Sequence, residues 1–400
     1  MRRGYACLFS DGGHTGSGGL WAYHNLQAEL DFAIRGPHVT TLAGKAIVRE
    51  YYGKAPHKSY FWGCSKGGKQ ALMEAQRFPW DYDGILAGDP SMGGGDIAMA
   101  FLWAVRALTD PEGKSLFETA DLETLHQAVV AKCDLNDGVK DGLIGDPRAC
   151  QFDPSTVQCA SGKRPGCLTL PQIQAAKQMY AVPLSSEGVQ IMTPVAVRGS
   201  ELTWSGLPSG ADRLADWFRY IAFRPPPGPA WQLTDFDFDR DFKRLGVTRG
   251  LHAPDNPDLR PFKAAGGKLL AYQGWNTVSP LSFVDYYETL ERTMGGRAAT
   301  QEFARFFALP GVNHCGGGEG AFAVDYLQAL EGWVEEGRAP DRLVGAHVHA
   351  DDTAEAYAIR FPLDPERIAF TRPLYPYPLQ VKYSGRGNPR DERNFVSTEK

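Results

Sequence analysis

The 400 residues of this chain exceed what one small hydrophobic core usually holds, so the length favours two domains or one large domain with an insertion. Hydrophobic residues make up 43% of the sequence and include nine Trp, 21 Phe and 16 Tyr, which is ample for a core. The net charge of -5, with both signs interspersed, excludes a basic stripe for nucleic acid and a polybasic patch for a membrane surface.

Strand and helix patterns alternate over the first ninety residues. In chain order they predict a buried strand over residues 5–10, a helix over 38–54, a strand over 58–63, a helix over 69–78 and a strand over 83–89. This alternation is typical of an α/β fold with a mainly parallel sheet.

The alternation is lost between about residue 95 and residue 260, where Pro, Gly, Cys and Trp are scattered among short helical pieces. It then returns as a predicted strand over 267–275, a helix over 280–294, a strand over 302–309 and a helix over 320–337. We therefore expect a core domain of residues 1–94 and 261–400, interrupted by a lid domain of residues 95–260. The polar residues 381–400 are expected to form a surface tail.

Gly63, Ser65 and Gly67 form a G-x-S-x-G motif between a predicted strand and a predicted helix. In a nucleophile elbow the turn is so sharp that small residues must flank the serine, whose hydroxyl then stands exposed above the sheet. The helix N-terminus also places the backbone N–H of Lys66 where it can stabilise an oxyanion. The motif therefore predicts Ser65 as a nucleophile, with a glycine-rich packing turn as the alternative.

A nucleophilic serine needs a base, and the fold that uses this elbow supplies its residues in the order Ser, acid, His. Among nine histidines, His314 follows a predicted buried strand late in the chain, in the loop LPGVNHCGGG, so position and order favour it as the base. His347 and His349 alternate as HVH, which is compatible with a metalloenzyme but is more often one face of a short strand. No further ligand at zinc spacing accompanies them.

Four of the seven cysteines form two closely spaced pairs in loop-like sequence, Cys133 with Cys150 and Cys159 with Cys167. Because no CxxC spacing occurs, we expect disulfides rather than metal thiolates. Disulfides imply a secreted or periplasmic location, although the first residues carry no signal-peptide pattern. No apolar run approaches the roughly 18 residues of a membrane span.

Two further cysteines lie beside the proposed catalytic residues, since Cys64 precedes Ser65 and Cys315 follows His314. A bond between them would bring their Cα atoms to about 5 to 6 Å and hold nucleophile and base together. Cys7 is left over.

Five stretches of this sequence resemble the tannase and feruloyl esterase family, which also includes bacterial mono(2-hydroxyethyl) terephthalate hydrolases. They are SDGGHTG, YFWGCSKGGKQALMEAQRFPWDYDGILAGDPS, CDLNDGVKDGLIGDPRACQFDP, GGKLLAYQGW and GVNHCGGG. The resemblance implies a secreted or periplasmic α/β-hydrolase with a large lid, which cleaves small-molecule esters of aromatic acids. It also implies Ser65 as nucleophile, His314 as base and a disulfide between Cys64 and Cys315.

The sequence departs from this family where an aspartate should orient the histidine. It reads GWNTVSP, with Asn276 or Thr277 at or near the position of the acid, and Asp285 lies one to two helical turns further on. A carboxamide neither fixes the imidazole tautomer well nor stabilises the imidazolium, and in a serine protease Asp→Asn at this point lowers turnover by about 10⁴. The alternative function is therefore a catalytically impaired relative that at most binds aromatic ligands.

A second departure is the abrupt start, which a truncation or a misplaced start would explain. Family members have a preceding portion with a glycine-rich loop that contributes to the oxyanion hole. Without that loop the backbone N–H of Lys66 is the remaining donor, and losing the other donor costs about 10² to 10³ in rate.

The segment CDLNDGVKDGLIGDP brings three carboxylates together, those of Asp134, Asp137 and Asp141, with glycines between them. Hard cations such as Ca²⁺ prefer several oxygens, including backbone carbonyls, although a solvated acidic turn is as plausible from the residues alone. The family resemblance implies a structural Ca²⁺ here, with the carbonyls of Val139 and Leu143 as further ligands. The sequence leaves open which aromatic ester is cleaved and which oligomer forms.

Overall fold

The computed structural model describes residues 3–16, 18–349 and 364–399. The helices are α1 Leu26–Leu30, α2 Gly36–Tyr52, α3 Lys66–Arg77, α4 Asp96–Leu108, α5 Thr119–Cys133, α6 Leu170–Tyr180, α7 Ala211–Tyr220, α8 Phe238–Arg244, α9 Gly246–His252, α10 Arg260–Ala264, α11 Leu281–Thr293, α12 Arg297–Gln301 and α13 Tyr326–Glu336. The strands are β1 Tyr60–Cys64, β2 Gly84–Gly88, β3 Lys268–Asn276, β4 Ala304–Asn313, β5 Leu343–Val348, β6 Ile368–Leu374, β7 Gln380–Tyr383 and β8 Phe395–Thr398.

Strands β1 to β4 make up a four-stranded sheet with the order β1-β2-β3-β4. β1 and β2 run parallel, from Tyr60 opposite Gly84 to Cys64 opposite Gly88. β2 is buried along its whole length, which is typical of a strand in a parallel sheet. The α/β fold predicted from the alternating patterns is confirmed.

The chain divides into two compact units, each made of several segments. The first contains Met1–Ala98, Asp212–Leu269 and Glu288–Ala304, and the second contains Met99–Ala211, Leu270–Tyr287 and Arg305–Lys400. The division into a core and a lid of residues 95–260 stays a prediction.

The predicted buried strand over residues 5–10 is wrong. This segment is irregular, and Phe9 in it is 90% exposed. A strand needs a neighbour for its backbone groups, and in the part of the chain that the structure describes residues 5–10 pair with no strand. Leu8 instead lies against α2, where a Cβ on Gly44 would meet its side chain.

The predicted polar tail is also corrected. β7 and β8 form an antiparallel pair, with Gln380 opposite Thr398 and Tyr383 opposite Phe395. Phe395 is buried, so this polar segment contributes to the core of the second unit. Few apolar residues mark the two strands, because each has only four residues.

Two disulfides of the second unit confirm the predicted cysteine pairs. Cys133 and Cys150 have Cα atoms 5.4 Å apart, and Cys159 and Cys167 have Cα atoms 5.0 Å apart. Cys64 and Cys315 are each disulfide-bonded as well, whereas Cys7 is an exposed thiol. Among the described residues, no helix has both the length and the apolar character needed to cross a membrane.

Candidate active site

Ser65 lies at a strained turn between β1 and α3. Its φ of 62° and ψ of -117° lie in a region that side-chain-bearing residues rarely adopt. Backbone hydrogen bonds hold the turn. Ser65 N–H donates to the Gly88 carbonyl at 3.0 Å, and the Ser65 carbonyl accepts from Lys69 N–H at 2.9 Å and from Ser91 N–H at 3.2 Å. A strand, a serine with positive φ and a helix are the parts of a nucleophile elbow.

The glycines around the serine allow this turn because backbones approach closely. A Cβ on Gly63 would lie 2.5 Å from the carbonyl carbon of Gly67, and a Cβ on Gly68 would lie 2.3 Å from the carbonyl oxygen of Gly88. A Cβ on Gly67 itself would meet nothing within 4 Å. The closest packing therefore involves Gly63 and Gly68, and Gly68 was not part of the sequence motif.

Lys66 is the first residue of α3, so its backbone N–H is one of the donors that an α-helix leaves without an intrahelical partner. The positive end of the helix dipole lies at the same place. This is the position predicted for an oxyanion donor.

His314 lies in the second unit, in the turn that follows β4, and Thr277 follows the end of β3 in the same unit. The Thr277 hydroxyl is 2.9 Å from His314 Nδ1. Asn276, the last residue of β3, is buried, and it is not the residue at this nitrogen. Of the two residues expected at or near the position of the acid, Asn276 and Thr277, it is Thr277 whose side chain contacts this nitrogen.

The surroundings of His314 favour its neutral form. Desolvation by the surrounding protein lowers its pKa below the usual value, although part of the residue remains exposed. A carboxylate partner would raise this pKa, whereas the neutral hydroxyl of Thr277 adds no charge. A hydroxyl that accepts a hydrogen bond from Nδ1–H leaves Nε2 as the proton acceptor, so His314 can act as a base without a charged partner.

An aromatic and cationic cluster in the first unit is defined by His14, Trp21, Phe32 and Lys66, the residue that follows Ser65 in the sequence. The rings of His14 and Trp21 are stacked, with centroids 4.1 Å apart, and Phe32 lies 5.3 Å from His14 and 4.9 Å from Trp21. The Lys66 ammonium lies 5.2 Å from the Phe32 ring centre. The sequence analysis did not predict this cluster. The motif SDGGHTG, which contains His14, was the part of the sequence that could have indicated it.

A buried polar chain anchors the first turn of α3. Lys69 Nζ lies 3.4 Å from His252 Nδ1, His252 Nε2 lies 3.2 Å from Glu29, and Glu29 forms an ion pair with Arg224. Burial lowers the pKa of Lys69 to about 7, and the charge of Lys66 lowers it further. The chain ties the elbow helix to α1 and α9.

The acidic loop of residues 134–143 is tightly wound. Asp134 accepts a hydrogen bond from the N–H of Asp141 at 3.1 Å, Asp137 accepts one from Val139 at 3.1 Å, and Asp141 accepts one from Leu143 at 3.1 Å. The five residues predicted as calcium ligands thus lie in one hydrogen-bonded loop.

The charges in this loop are not balanced. Burial raises the pKa of Asp137 to about 7, and the charges of Asp141 and Asp134 act in the same direction. Asp141 forms an ion pair with Arg372, which offsets part of the negative charge. A carboxylate that is disfavoured by two neighbouring carboxylates is compatible with a hard divalent cation, so the residues present fit Ca²⁺.

The HVH sequence lies at a strand, as the simpler interpretation predicts. His347 belongs to β5, its Nδ1 is 2.9 Å from the Gly320 carbonyl oxygen, and its ring stacks on Phe370 with centroids 4.9 Å apart. Among the residues whose positions are described, neither His347 nor His349 belongs to a cluster of three possible metal ligands.

Comparison with known proteins gives one family. The sequence model of a family described as tannase and feruloyl esterase matches residues 1–219 and 234–398. A mono(2-hydroxyethyl) terephthalate hydrolase of Piscinibacter sakaiensis is 34% identical over 99% of this chain and 74% of the relative, and a probable feruloyl esterase B-2 of Aspergillus terreus is 30% identical over 97% and 75%. The crystal structure of feruloyl esterase B from Aspergillus oryzae superposes with a TM-score of 0.84 at 28% identity, over 96% of this chain and 77% of that one.

Proposed function

Because the chain belongs to the tannase and feruloyl esterase family of carboxylic ester hydrolases, we propose that it hydrolyses esters of aromatic acids through an acyl-enzyme on Ser65. The observation that carries this proposal is the backbone of Ser65, whose positive φ between β1 and α3 is that of a nucleophile elbow. Strain of this kind persists only where the surroundings impose it, and here the backbone contacts of Gly63 and Gly68 do so.

The proposed reaction has two halves. Ser65 Oγ attacks the ester carbonyl while His314 takes its proton, and the oxyanion is stabilised by the backbone N–H of Lys66. The protonated His314 then gives the proton to the leaving alkoxide, which leaves an acyl group on Ser65. Water, deprotonated by His314, attacks this acyl group, releases the aromatic acid and returns the proton to Ser65.

Thr277 favours the second candidate, an enzyme with impaired turnover. Its hydroxyl orients His314 but cannot stabilise the imidazolium that forms when the serine proton is taken. A weak esterase therefore accords better with these contacts than an efficient one.

We also propose that Cys64 and Cys315 are bonded to each other, which would join the loop of the nucleophile to the loop of the base. Both cysteines are disulfide-bonded, and each is adjacent in sequence to a proposed catalytic residue. The disulfides support folding in an oxidising compartment, so we propose a secreted or periplasmic location.

A structural Ca²⁺ is proposed in the loop of residues 134–143. Asp134, Asp137 and Asp141 would supply carboxylate oxygens, and Val139 and Leu143 would supply carbonyl oxygens. The ion would neutralise the crowded carboxylates and stabilise the loop, without a part in the ester chemistry.

The test is hydrolysis of methyl ferulate, methyl gallate and a terephthalate monoester by the purified chain and by its Ser65→Ala variant. We expect slow turnover by the parent chain and a loss of roughly 10³-fold or more in the variant, because removal of a nucleophile abolishes the acyl-enzyme. Equal circular dichroism spectra and melting temperatures would show that both proteins are folded. Equal rates for the two folded proteins would contradict the proposed function.

A further inference from the structure

Three side chains that can bind a metal ion meet beside the second half of α3, in the first unit. His38 belongs to the first turn of α2, Glu74 to α3, and Asp81 to the segment between α3 and β2. One ligand atom of each lies within 4.8 Å of the other two. Glu74 comes nine residues after Ser65, which is about 13 Å along a helix, so this cluster is separate from the proposed ester chemistry.

One carboxyl oxygen of the cluster lacks a partner. Glu74 is 1% exposed and Asp81 is 2% exposed. Within the described residues, Glu74 Oε2 is buried and makes no hydrogen bond. Buried polar atoms nearly always have a partner, and this oxygen stands next to two other groups that bind metals, so it is open to a ligand that all three can share.

The charges around the two carboxyl groups favour a cation. Carboxyl groups this close in a buried place need either a proton or a positive charge between them. His38 Nδ1 lies 2.5 Å from Asp81 Oδ2, so the imidazole already contacts one of the two. Lys45 donates from its ammonium to the backbone carbonyl of Asp81 rather than to Glu74 Oε2. A divalent cation between the three groups would neutralise both carboxylates at once.

The kind of ligand selects the kind of metal. Imidazole together with carboxylates suits Zn²⁺ and related transition metals, whereas Ca²⁺ and Mg²⁺ take oxygen ligands. Zn²⁺ binds such ligands at about 2.0 to 2.2 Å, which places them about 3.3 Å from one another in a tetrahedron. The contact of 2.5 Å and the upper limit of 4.8 Å therefore require side-chain shifts of about 1 to 1.5 Å.

The histidine of the cluster is both oriented and accessible. Its ring is stacked on Phe78, with centroids 3.8 Å apart, which fixes the plane of the imidazole. The His38 side chain is 21% exposed, so an ion can reach the buried carboxyl groups from solvent along this ring.

From these features we propose that His38, Glu74 and Asp81 form a binding site for a divalent transition-metal ion such as Zn²⁺, with water completing its coordination. The ion would link α2, α3 and the segment before β2, and would thereby stabilise the helix that begins after Ser65. The alternative, in which the carboxyl groups share a proton and bind no metal, is an outcome of the test.

Calorimetric titration of the untagged, chelator-treated chain with Zn²⁺ tests the proposal, at about pH 7.5 where protons compete weakly. Excess Ca²⁺ keeps the loop of residues 134–143 occupied. We expect one Zn²⁺ per chain with a Kd of about 1 μM or lower. His38→Gln and Glu74→Gln should each weaken binding at least about 100-fold, since loss of a residue that only orients a ligand already costs 10- to 100-fold. The matched controls His57→Gln and Glu50→Gln change exposed residues of the same unit and should keep the parent Kd.

Anomalous diffraction at the zinc absorption edge locates the ion in the parent chain without any substitution. An ion between His38 and Glu74 supports the proposal even if a variant fails to fold, which circular dichroism would reveal. An adventitious ion only, bound elsewhere or solely at millimolar concentration, contradicts it. Equal affinity of the parent and the two folded ligand variants, or absence of binding, contradicts it as well. Neither readout involves ester hydrolysis, so the outcome is independent of the proposed function.

Discussion

Thr277 gives the imidazole of His314 an oriented hydrogen bond but no negative charge. A carboxylate at this place would stabilise the imidazolium throughout the reaction, and its absence leaves only desolvation to set the pKa of the base. The chemistry of this single residue therefore decides how fast the proposed reaction runs.

Replacement of Thr277 by aspartate should raise activity. We expect kcat for methyl ferulate to increase by roughly 10²-fold or more, since loss of the corresponding acid in a serine protease costs about 10⁴. The carboxylate should also raise the pKa of His314. Activity requires the neutral base, so the rise of kcat/KM with pH should occur at a higher pH in Thr277→Asp than in the parent chain.

Pre-steady-state and pH-rate measurements on the parent, Thr277→Asp and Thr277→Val would check this. The valine variant has a similar shape without the hydroxyl and should be slower than the parent, because nothing then orients Nδ1. An aspartate variant that is folded but no faster would show that Thr277 does not occupy the position of the acid.

The sequence predicts Ser65 as nucleophile and His314 as base because strand, helix and glycine patterns surround them, but it could not choose between Asn276 and Thr277 as the partner of His314. Successive side chains at the end of a strand point to opposite faces, so a shift of one residue changes which side chain faces the histidine. The orientation at the end of β3 depends on the sheet that contains it, and only the structure supplies it.

At the scale of elements, the junction of β1, Ser65 and α3 depends on the close approach of α3 to the chain after β2. Gly68 stands in the first turns of α3, and a Cβ there would lie 2.3 Å from the Gly88 carbonyl oxygen and 2.9 Å from the Pro90 Cα. Both obstacles are backbone atoms, so a side chain could be accommodated only by moving the helix.

Gly68→Ala should therefore destabilise the protein by about 2 kcal/mol or more, a value typical of overpacked sites, and should reduce ester hydrolysis. Gly67→Ala provides the matched control. Its Cβ would meet nothing within 4 Å, and alanine favours a helix over glycine by about 1 kcal/mol, so stability should be unchanged or slightly higher. Urea unfolding of both variants measures the difference, and equal stabilities would refute the steric argument.

Elements with strong periodicity were predicted well, and weakly patterned or unpartnered ones were not. The predicted helix over 38–54 and strand over 267–275 agree with α2 and β3 within about two residues. The segment 5–10 is apolar enough for a buried strand, yet burial requires a partner that the pattern of one segment cannot supply. β7 and β8 were not predicted because their sequences contain few apolar residues. Each is a strand because the other is its hydrogen-bonding neighbour.

At the scale of the whole molecule, several buried groups make stability depend on pH in opposing directions. Burial raises the pKa of Glu74 to about 8, of Asp96 to about 6 and of Asp137 to about 7. Each of these carboxyls binds its proton more tightly when folded, so its contribution to stability is lost as the pH rises from about 4 through its folded pKa. Lys69, whose pKa is lowered to about 7, acts in the opposite sense, since stability is regained as the pH rises from about 7 towards 10.

The effect of Ca²⁺ on stability should distinguish the contribution of Asp137 to the pH dependence from the contributions of Glu74, Asp96 and Lys69. At about pH 8 the three carboxylates of residues 134–141 repel one another in the folded state, and Ca²⁺ would remove that repulsion; at about pH 5 protons compete with the ion. We therefore expect addition of Ca²⁺ after chelator treatment to raise Tm, and to raise it more at about pH 8 than at about pH 5. At 100 times its Kd the ion would add about 2.7 kcal/mol to the free energy of unfolding.

Differential scanning calorimetry on the parent, Asp137→Asn and Asp96→Asn, with and without Ca²⁺, tests whether the rise in Tm depends on Asp137. Asp137→Asn should lose most of the Ca²⁺ response and should be less sensitive to pH without the ion, because its side chain cannot ionise. Asp96 also has a raised pKa but pairs with Arg249 outside the acidic loop, so Asp96→Asn should keep the full Ca²⁺ response. A Tm that does not change with Ca²⁺ at either pH would contradict the proposed site. The loop would then be an acidic turn stabilised by its own hydrogen bonds and by Arg372.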